Sequence, residues 1–214
     1  MAGQDSMAID DLLDEHEQSE RVLNWLRKNA AALIGGIVLG LGAIYGWNYW
    51  KQSREQGTLA AAARYEAAID AIRAGDAQAA GKLASLEGAY RVLAGLELAK
   101  RQVNEGKRDD AIATLRGLKP EDPALADIVQ VRLARLLIDA GKHDEALKLL
   151  ADNATPAALE ARGDAEFARG RREQAREAYA QALTKTDVAA PLRRLLELKL
   201  TQAGGTPTKP ETQS

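Results

Sequence analysis

The 214 residues include 29 basic and 31 acidic side chains, a formal net charge of −2, which argues against a nucleic-acid binder because those carry a basic excess. The absence of cysteine excludes disulfides, thiolate metal sites and cysteine nucleophiles, and two histidines leave little for acid–base chemistry. Apolar content is 46% with only 4% aromatic, so the apolar surface is mostly alanine and leucine, both strong helix formers.

Residues 1–28 hold seven acidic and three basic side chains, net −4, and read as a solvated, partly helical arm. Residues 1–6 have no pattern of their own, so Met7 is an alternative start to Met1. The chain carries −2 overall and the segment after the arm no charge, so residues 51–214 carry +2.

Between Lys28 and Lys51 no residue is charged. The stretch 29–50, NAAALIGGIVLGLGAIYGWNYW, would make a helix of about 33 Å, enough to cross a hydrocarbon core of about 30 Å. Trp25, Arg27 and Lys28 flank one end; Tyr45, Trp47, Tyr49, Trp50 and Lys51 flank the other. Aromatic and basic residues favour such positions at membrane interfaces. A buried helix of a soluble domain seldom runs this long without a charge. A cleaved signal peptide would have a shorter apolar run and small residues after it, not WNYWK. The segment therefore reads as a single uncleaved membrane-spanning helix.

Basic residues balance across the span, Arg21, Arg27 and Lys28 against Lys51, Arg54 and Arg64, so charge does not set orientation. The short leading arm favours an N-terminus inside, with the chain beyond the span exported. Gly36 and Gly40, and Gly42 and Gly46, are small residues four apart, a spacing that lets another membrane helix approach. Glycine is also common in membrane helices for its own sake.

Beyond Trp50 the expected interruptions are Gly57, Gly75, Gly106, Gly141, Gly170 and Gly204. Three segments are self-similar, starting at Gly106, Gly141 and Gly170. Each runs glycine, a basic residue, acidic or amide residues, then alanine (Ala111, Ala146, Ala175) and a larger apolar residue (Leu115, Leu150, Tyr179). The glycine ends one helix in a left-handed conformation. Acidic residues then favour the first turn of the next, and the small alanine allows close packing against its predecessor.

This pattern resembles the tetratricopeptide repeat, a helix–turn–helix unit of about 34 residues. The third copy matches best, with Gly163 seven before Gly170 and then Ala175, Tyr179 and Ala182. The second has Ala134, Ala146 and Leu150; the first has Ala99, Ala111 and Leu115, followed by Pro123. Residues 58–87 read as a degenerate fourth pair broken at Gly75, and residues 190–203 as a capping helix over the last repeat. The polar run 204–214, GGTPTKPETQS, reads as a disordered tail. A generic bundle of alanine-rich hairpins is the plainer alternative.

Repeat arrays of this kind usually bind protein along the face formed by their first helices. On this register the lining residues are Lys100, Val103, Arg135, Ile138, Asp164 and Phe167, although packing against a neighbouring helix would explain some of them equally well. No catalytic, cofactor-binding or metal-binding residues are assigned. His143 beside Asp144 and Glu145 reads as a solvated helix start, and His16 as part of the acidic arm. Asp109–Asp110 and Glu121–Asp122 read as helix-end or loop charges. Arg162-Gly163-Asp164 spells an adhesion tripeptide but falls within a helix. Phosphate-binding and nucleophile-elbow motifs are absent.

A closer resemblance rests on the whole order: an acidic arm, a glycine-rich span ending GWNYW, a linker helix with Tyr65-Glu66, then LAGLELAK at 93–100, VRLARLL at 131–137 and RGDAEFARGRREQAREAYAQAL at 162–183. It is similar to the YfgM family of ancillary SecYEG translocon subunits. The resemblance implies an all-α protein of the bacterial inner membrane, with a single transmembrane helix followed by a tetratricopeptide-repeat-like α-solenoid. It further implies an acidic cytoplasmic arm (1–28), the span (29–50), a periplasmic helical repeat domain (51–203) and the tail (204–214). Implied partners are the SecYEG translocon and the membrane-anchored chaperone PpiD, with transfer of exported proteins to periplasmic chaperones as the role. The implied protein is not an enzyme and has no cofactor. A scaffold for another envelope assembly, such as cell-wall synthesis or pilus machinery, is the alternative.

Overall fold

The computed structural model describes the backbone of residues 4–207 and the side chains of residues 23–54 and 56–207. Every regular element among them is a helix. These are α1 (Gln4–Ala74), α2 (Ala79–Ala84), α3 (Gly88–Asn104), α4 (Arg108–Arg116), α5 (Pro123–Asp139), α6 (His143–Leu149), α7 (Pro156–Ala168), α8 (Arg172–Thr184) and α9 (Leu192–Gln202). The chain divides into two units, residues 1–59 and 60–214. The side chains of most of the acidic arm, including Met7 and His16, and residues 208–214 of the tail lie outside the described residues.

In the first unit, α1 is the one helix among the described residues long and apolar enough to cross a membrane. Its most apolar window has a mean hydropathy of 1.8 and is unburied. Ile34, Ile37, Val38, Leu39 and Ile44 all stand exposed. A continuous apolar face of this kind needs a partner or a bilayer to cover it. At its aromatic end the Trp47 and Trp50 rings lie 5.3 Å apart, and the Arg54 guanidinium sits 4.3 Å from the centre of the Trp50 ring. That cation–π contact couples a charge to an aromatic residue of the kind that sits at the lipid headgroup level.

Gly57 does not interrupt the chain: it lies inside α1. A glycine within a helix costs about 1 kcal/mol relative to alanine. Residues 59–64, rich in alanine, are helix formers strong enough to carry the helix through.

In the second unit the expected interruptions do occur. Gly75, Gly106, Gly141, Gly170 and Gly204 all have positive φ. At Gly106 the glycine N–H donates to the Val103 carbonyl (3.0 Å) and the Lys107 N–H to that of Gln102 (2.8 Å). Gly141 and Lys142 repeat the arrangement on Ile138 and Leu137, as do Gly170 and Arg171 on Phe167 and Glu166. Each is a paired closure that satisfies carbonyls otherwise orphaned at a helix end. The opposite ends are capped where the sequence provides a side chain. The Asp122 carboxylate accepts from the Leu125 N–H (2.9 Å), and the Thr155 hydroxyl from the Ala158 N–H (3.3 Å). Each of these caps is followed by a proline at the first helical position.

The helices then stack as an α-solenoid of hairpins. α3 packs on α4, α5 on α6 and α7 on α8, while α4 and α5, and α6 and α7, join successive pairs. The repeated alanines Ala111, Ala146 and Ala175 are fully buried, and Leu115, Leu150 and Tyr179 almost so. The main apolar cluster runs from Val92 to Ala161, across two hairpins and onto the first helix of the third. A second joins Ala68, Ile69 and Ile72 at the end of α1 to Leu86, Ala94 and Leu98. The third sets Leu196 and Leu200 of α9 against Leu159, Tyr179 and Ala182, so α9 covers the apolar end of the last hairpin.

Candidate functional site

The site is built from the first helices of successive hairpins. Leu96, Ala99, Lys100, Val103 and Asn104 of α3 line one side of a groove of about 280 Å³; Arg132, Arg135 and Leu136 of α5 line the other, with Leu115 of α4 at its base. The alternation arises from helical spacing, which puts residues three, four and seven apart on one face. Lys100, Val103 and Arg135 thus come together in one groove. Its lining is mostly apolar and includes no carboxylate. Ile138 instead packs half-buried against the core cluster. Phe167 stands 37% exposed near the end of α7, outside the groove lining.

Beyond Arg135 the same helix faces carry a chain of charges. Arg135 Nη2 donates to Glu160 Oε2 (2.8 Å), and Lys199 Nζ donates both to Glu160 Oε1 (2.7 Å) and to Asp164 Oδ2 (2.7 Å). The Tyr179 hydroxyl donates to Asp164 Oδ1 (2.7 Å). This network ties α5, α7, α8 and α9 together. Burial and the Asp164 carboxylate push the Tyr179 phenol well above its ordinary ionisation range.

Glu160 is the buried charge in that chain, 2% exposed, and sequence reasoning does not single it out. Its only local signal is a lone carboxylate within the apolar stretch 157–161, four residues before Asp164. A buried carboxylate requires partners, and Lys199, about forty residues away in sequence, gives no local hint. Arg132 escapes for a simpler reason: arginine on a solenoid helix reads as a solvated face.

The tripeptide at 162–164 lies within α7, with Gly163 against the Tyr179 ring and Asp164 committed to Tyr179 and Lys199. His143 opens α6; its neighbour Asp144 pairs with Arg169 at 2.6 Å. No group of three or more histidine, aspartate or glutamate side chains among the described residues is placed to hold a metal ion. In the span, a methyl group added at Gly36, Gly40, Gly42 or Gly46 would meet no atom within 4 Å.

The tetratricopeptide repeat-like domain family matches residues 23–205. An ancillary SecYEG translocon subunit of Escherichia coli is 32% identical over 197 residues, covering 87% of this chain and 95% of that protein. Proteins of the same description from Haemophilus influenzae and Aggregatibacter actinomycetemcomitans are 28% and 26% identical, over 79% and 88% of this chain and 89% and 97% of their own lengths.

Proposed function

The chain belongs to the family of ancillary SecYEG translocon subunits built on a tetratricopeptide repeat-like domain, and from that premise we propose that it is a membrane-anchored protein-binding module of the protein-export machinery. The observation that carries this reading is the extent of the family match: it begins at residue 23 and runs to residue 205. Apolar span and helical repeats are therefore inherited as one device. The span anchors and the repeats bind; no step of chemistry is assigned to any side chain.

In this reading the protein sits in the bacterial inner membrane by one pass, with residues 1–28 cytoplasmic and residues 51–203 periplasmic. Its partners are the SecYEG translocon and a PpiD-like membrane-anchored chaperone, and it assists passage of exported chains to periplasmic chaperones. The bare glycine faces of the span support contact with a neighbouring membrane helix, through Gly36 and Gly40 or Gly42 and Gly46. The repeat groove at Lys100, Val103 and Arg135 supports contact with polypeptide. In the same reading Phe167 extends that binding face along the repeats, while Ile138 and Asp164 support it through their packing and bonds to neighbouring helices.

The test is affinity capture of the full chain from detergent-solubilised membranes, with partners identified by mass spectrometry. Translocon subunits with a PpiD-like chaperone are the expected catch. Cell-wall or pilus machinery in their place would shift the reading to a scaffold for another envelope assembly, and abundant bystanders alone would overturn both. Sidedness is read by protease in spheroplasts: the C-terminal tail is cleaved if the topology is right and protected if it is reversed.

A further inference from the structure

We propose that the groove between α3 and α5 binds an acidic–apolar peptide segment: a bulky apolar side chain held between flanking carboxylates. The inference rests on the protein-binding reading above and specifies the chemistry of its ligand. Three observations carry it.

The first is size. At about 280 Å³ the groove lies just below the range of roughly 300–1,000 Å³ typical of small-molecule sites. It suits an anchoring side chain of a longer ligand better than a whole metabolite. Leu96, Ala99, Val103, Leu115 and Leu136 give it an apolar floor.

The second is charge. Lys100, Arg132 and Arg135 stand around that floor, and no acidic residue lines it. Their internal partners do not cancel them. Lys100 approaches Glu97 at 3.6 Å in an exposed pair, which is worth little in water. Arg135 gives one edge to Glu160 while remaining half exposed. Arg132 makes no ion pair among the described residues. An incoming carboxylate therefore meets cations that are already in place, and a basic ligand meets like charge, which costs affinity and slows association.

The third is extent. Leu93 lies seven residues before Lys100 and Ile128 seven before Arg135, so each shares its helix face with the groove lining. Both are 40% exposed, and Val103 is 42% exposed. Apolar contacts thus continue beside the groove, as a peptide of several residues would use.

The experiment measures binding to the full chain in detergent micelles by fluorescence anisotropy. The probe is a labelled, end-blocked peptide carrying two leucines between pairs of glutamates. Its control has lysines in place of the glutamates. The glutamate peptide is expected to bind about tenfold more tightly than the lysine peptide, and the difference to shrink as salt is raised. Lys100→Glu with Arg132→Glu is expected to reverse the preference, while helical content and melting temperature stay close to wild type because both side chains are exposed. Val103→Asn tests the floor separately, because it removes apolar surface without adding charge, and should weaken the glutamate peptide by about tenfold.

Equal binding of the two peptides, no binding of either, or indifference to the charge reversal would overturn the proposal. Capture of translocon subunits by the wild-type chain is read independently. Its success alongside failed peptide binding removes the groove chemistry alone, and its failure removes the export reading.

Discussion

Gly163 on α7 and Tyr179 on α8 share a space that admits only one side chain. A methyl group at Gly163 would lie 2.9 Å from Tyr179 Cζ and closer still to Cε1 and Cδ1. The ring is 2% exposed and its hydroxyl is tied to Asp164, so it has no free direction in which to retreat. Gly163→Ala is expected to destabilise the repeat unit. Overpacking costs about 1–3 kcal/mol, against a gain of about 1 kcal/mol from alanine's helix propensity. Combining it with Tyr179→Leu should cost less than the sum of the two single changes. Urea unfolding followed by circular dichroism measures both; a neutral Gly163→Ala would mean the hairpin yields.

Lys199 is the second residue on which the C-terminal end depends. Its ammonium joins Glu160 and Asp164 of α7 from α9. Removing it leaves Glu160, 2% exposed, with Arg135 as its remaining cation. Lys199→Met should destabilise by about 1–3 kcal/mol; breaking a fully buried pair costs about 3–5 kcal/mol, and Lys199 retains some exposure. Replacing Glu160 by leucine in the Lys199→Met background should recover part of that loss, because the uncompensated charge goes with it. The contrast between single and double variants in urea unfolding is the measurement.

Those two relationships differ in how visible they are in the sequence. The hairpins are legible because their signals are local: glycine, acidic first turn, buried alanine and a large residue at fixed spacing. Gly163 and Tyr179 belong to that pattern. The long apolar span is legible from the absence of charge between Lys28 and Lys51. The network at Glu160 is not, because its partners come from α5, α7, α8 and α9, and helical spacing relates residues within one helix only. The candidate groove is legible in part for the same reason. Lys100, Val103 and Arg135 line one groove. The turn of α5 carries Ile138 toward the core instead, and Asp164 is drawn into bonds with Tyr179 and Lys199.

Two glycines that look alike in sequence should respond oppositely to alanine. Gly57 is helical, and Gly141 has φ of 74°; a methyl group at either would meet no atom within 4 Å, so only the backbone decides. Gly57→Ala should strengthen α1 locally by about 1 kcal/mol. Hydrogen exchange of nearby amides would then slow about fivefold. Gly141→Ala should cost about 1–2 kcal/mol, the penalty of a left-handed conformation for a residue with a Cβ. That loss reads out as a lower urea midpoint. A destabilising Gly57→Ala would show that the continuous helix is not the conformation the chain keeps there.

Tyr179 also sets an alkaline limit on stability. Burial first, and the Asp164 carboxylate second, raise its ionisation above that of a free phenol. The folded state therefore holds this proton more tightly than the unfolded chain does. Its contribution is fully present below the unfolded value of about pH 10 and is lost as pH rises above it, at a slope approaching about 1.4 kcal/mol per pH unit. Tyr179→Phe keeps the ring but removes both the titrating proton and the bond to Asp164. At neutral pH the variant should be less stable by about 1 kcal/mol, the usual worth of such a bond. Above pH 10 it should lose stability more slowly than wild type, so the two curves converge. Urea unfolding across the alkaline range measures this, and parallel curves would mean that the phenol ionises without unfolding the hairpin.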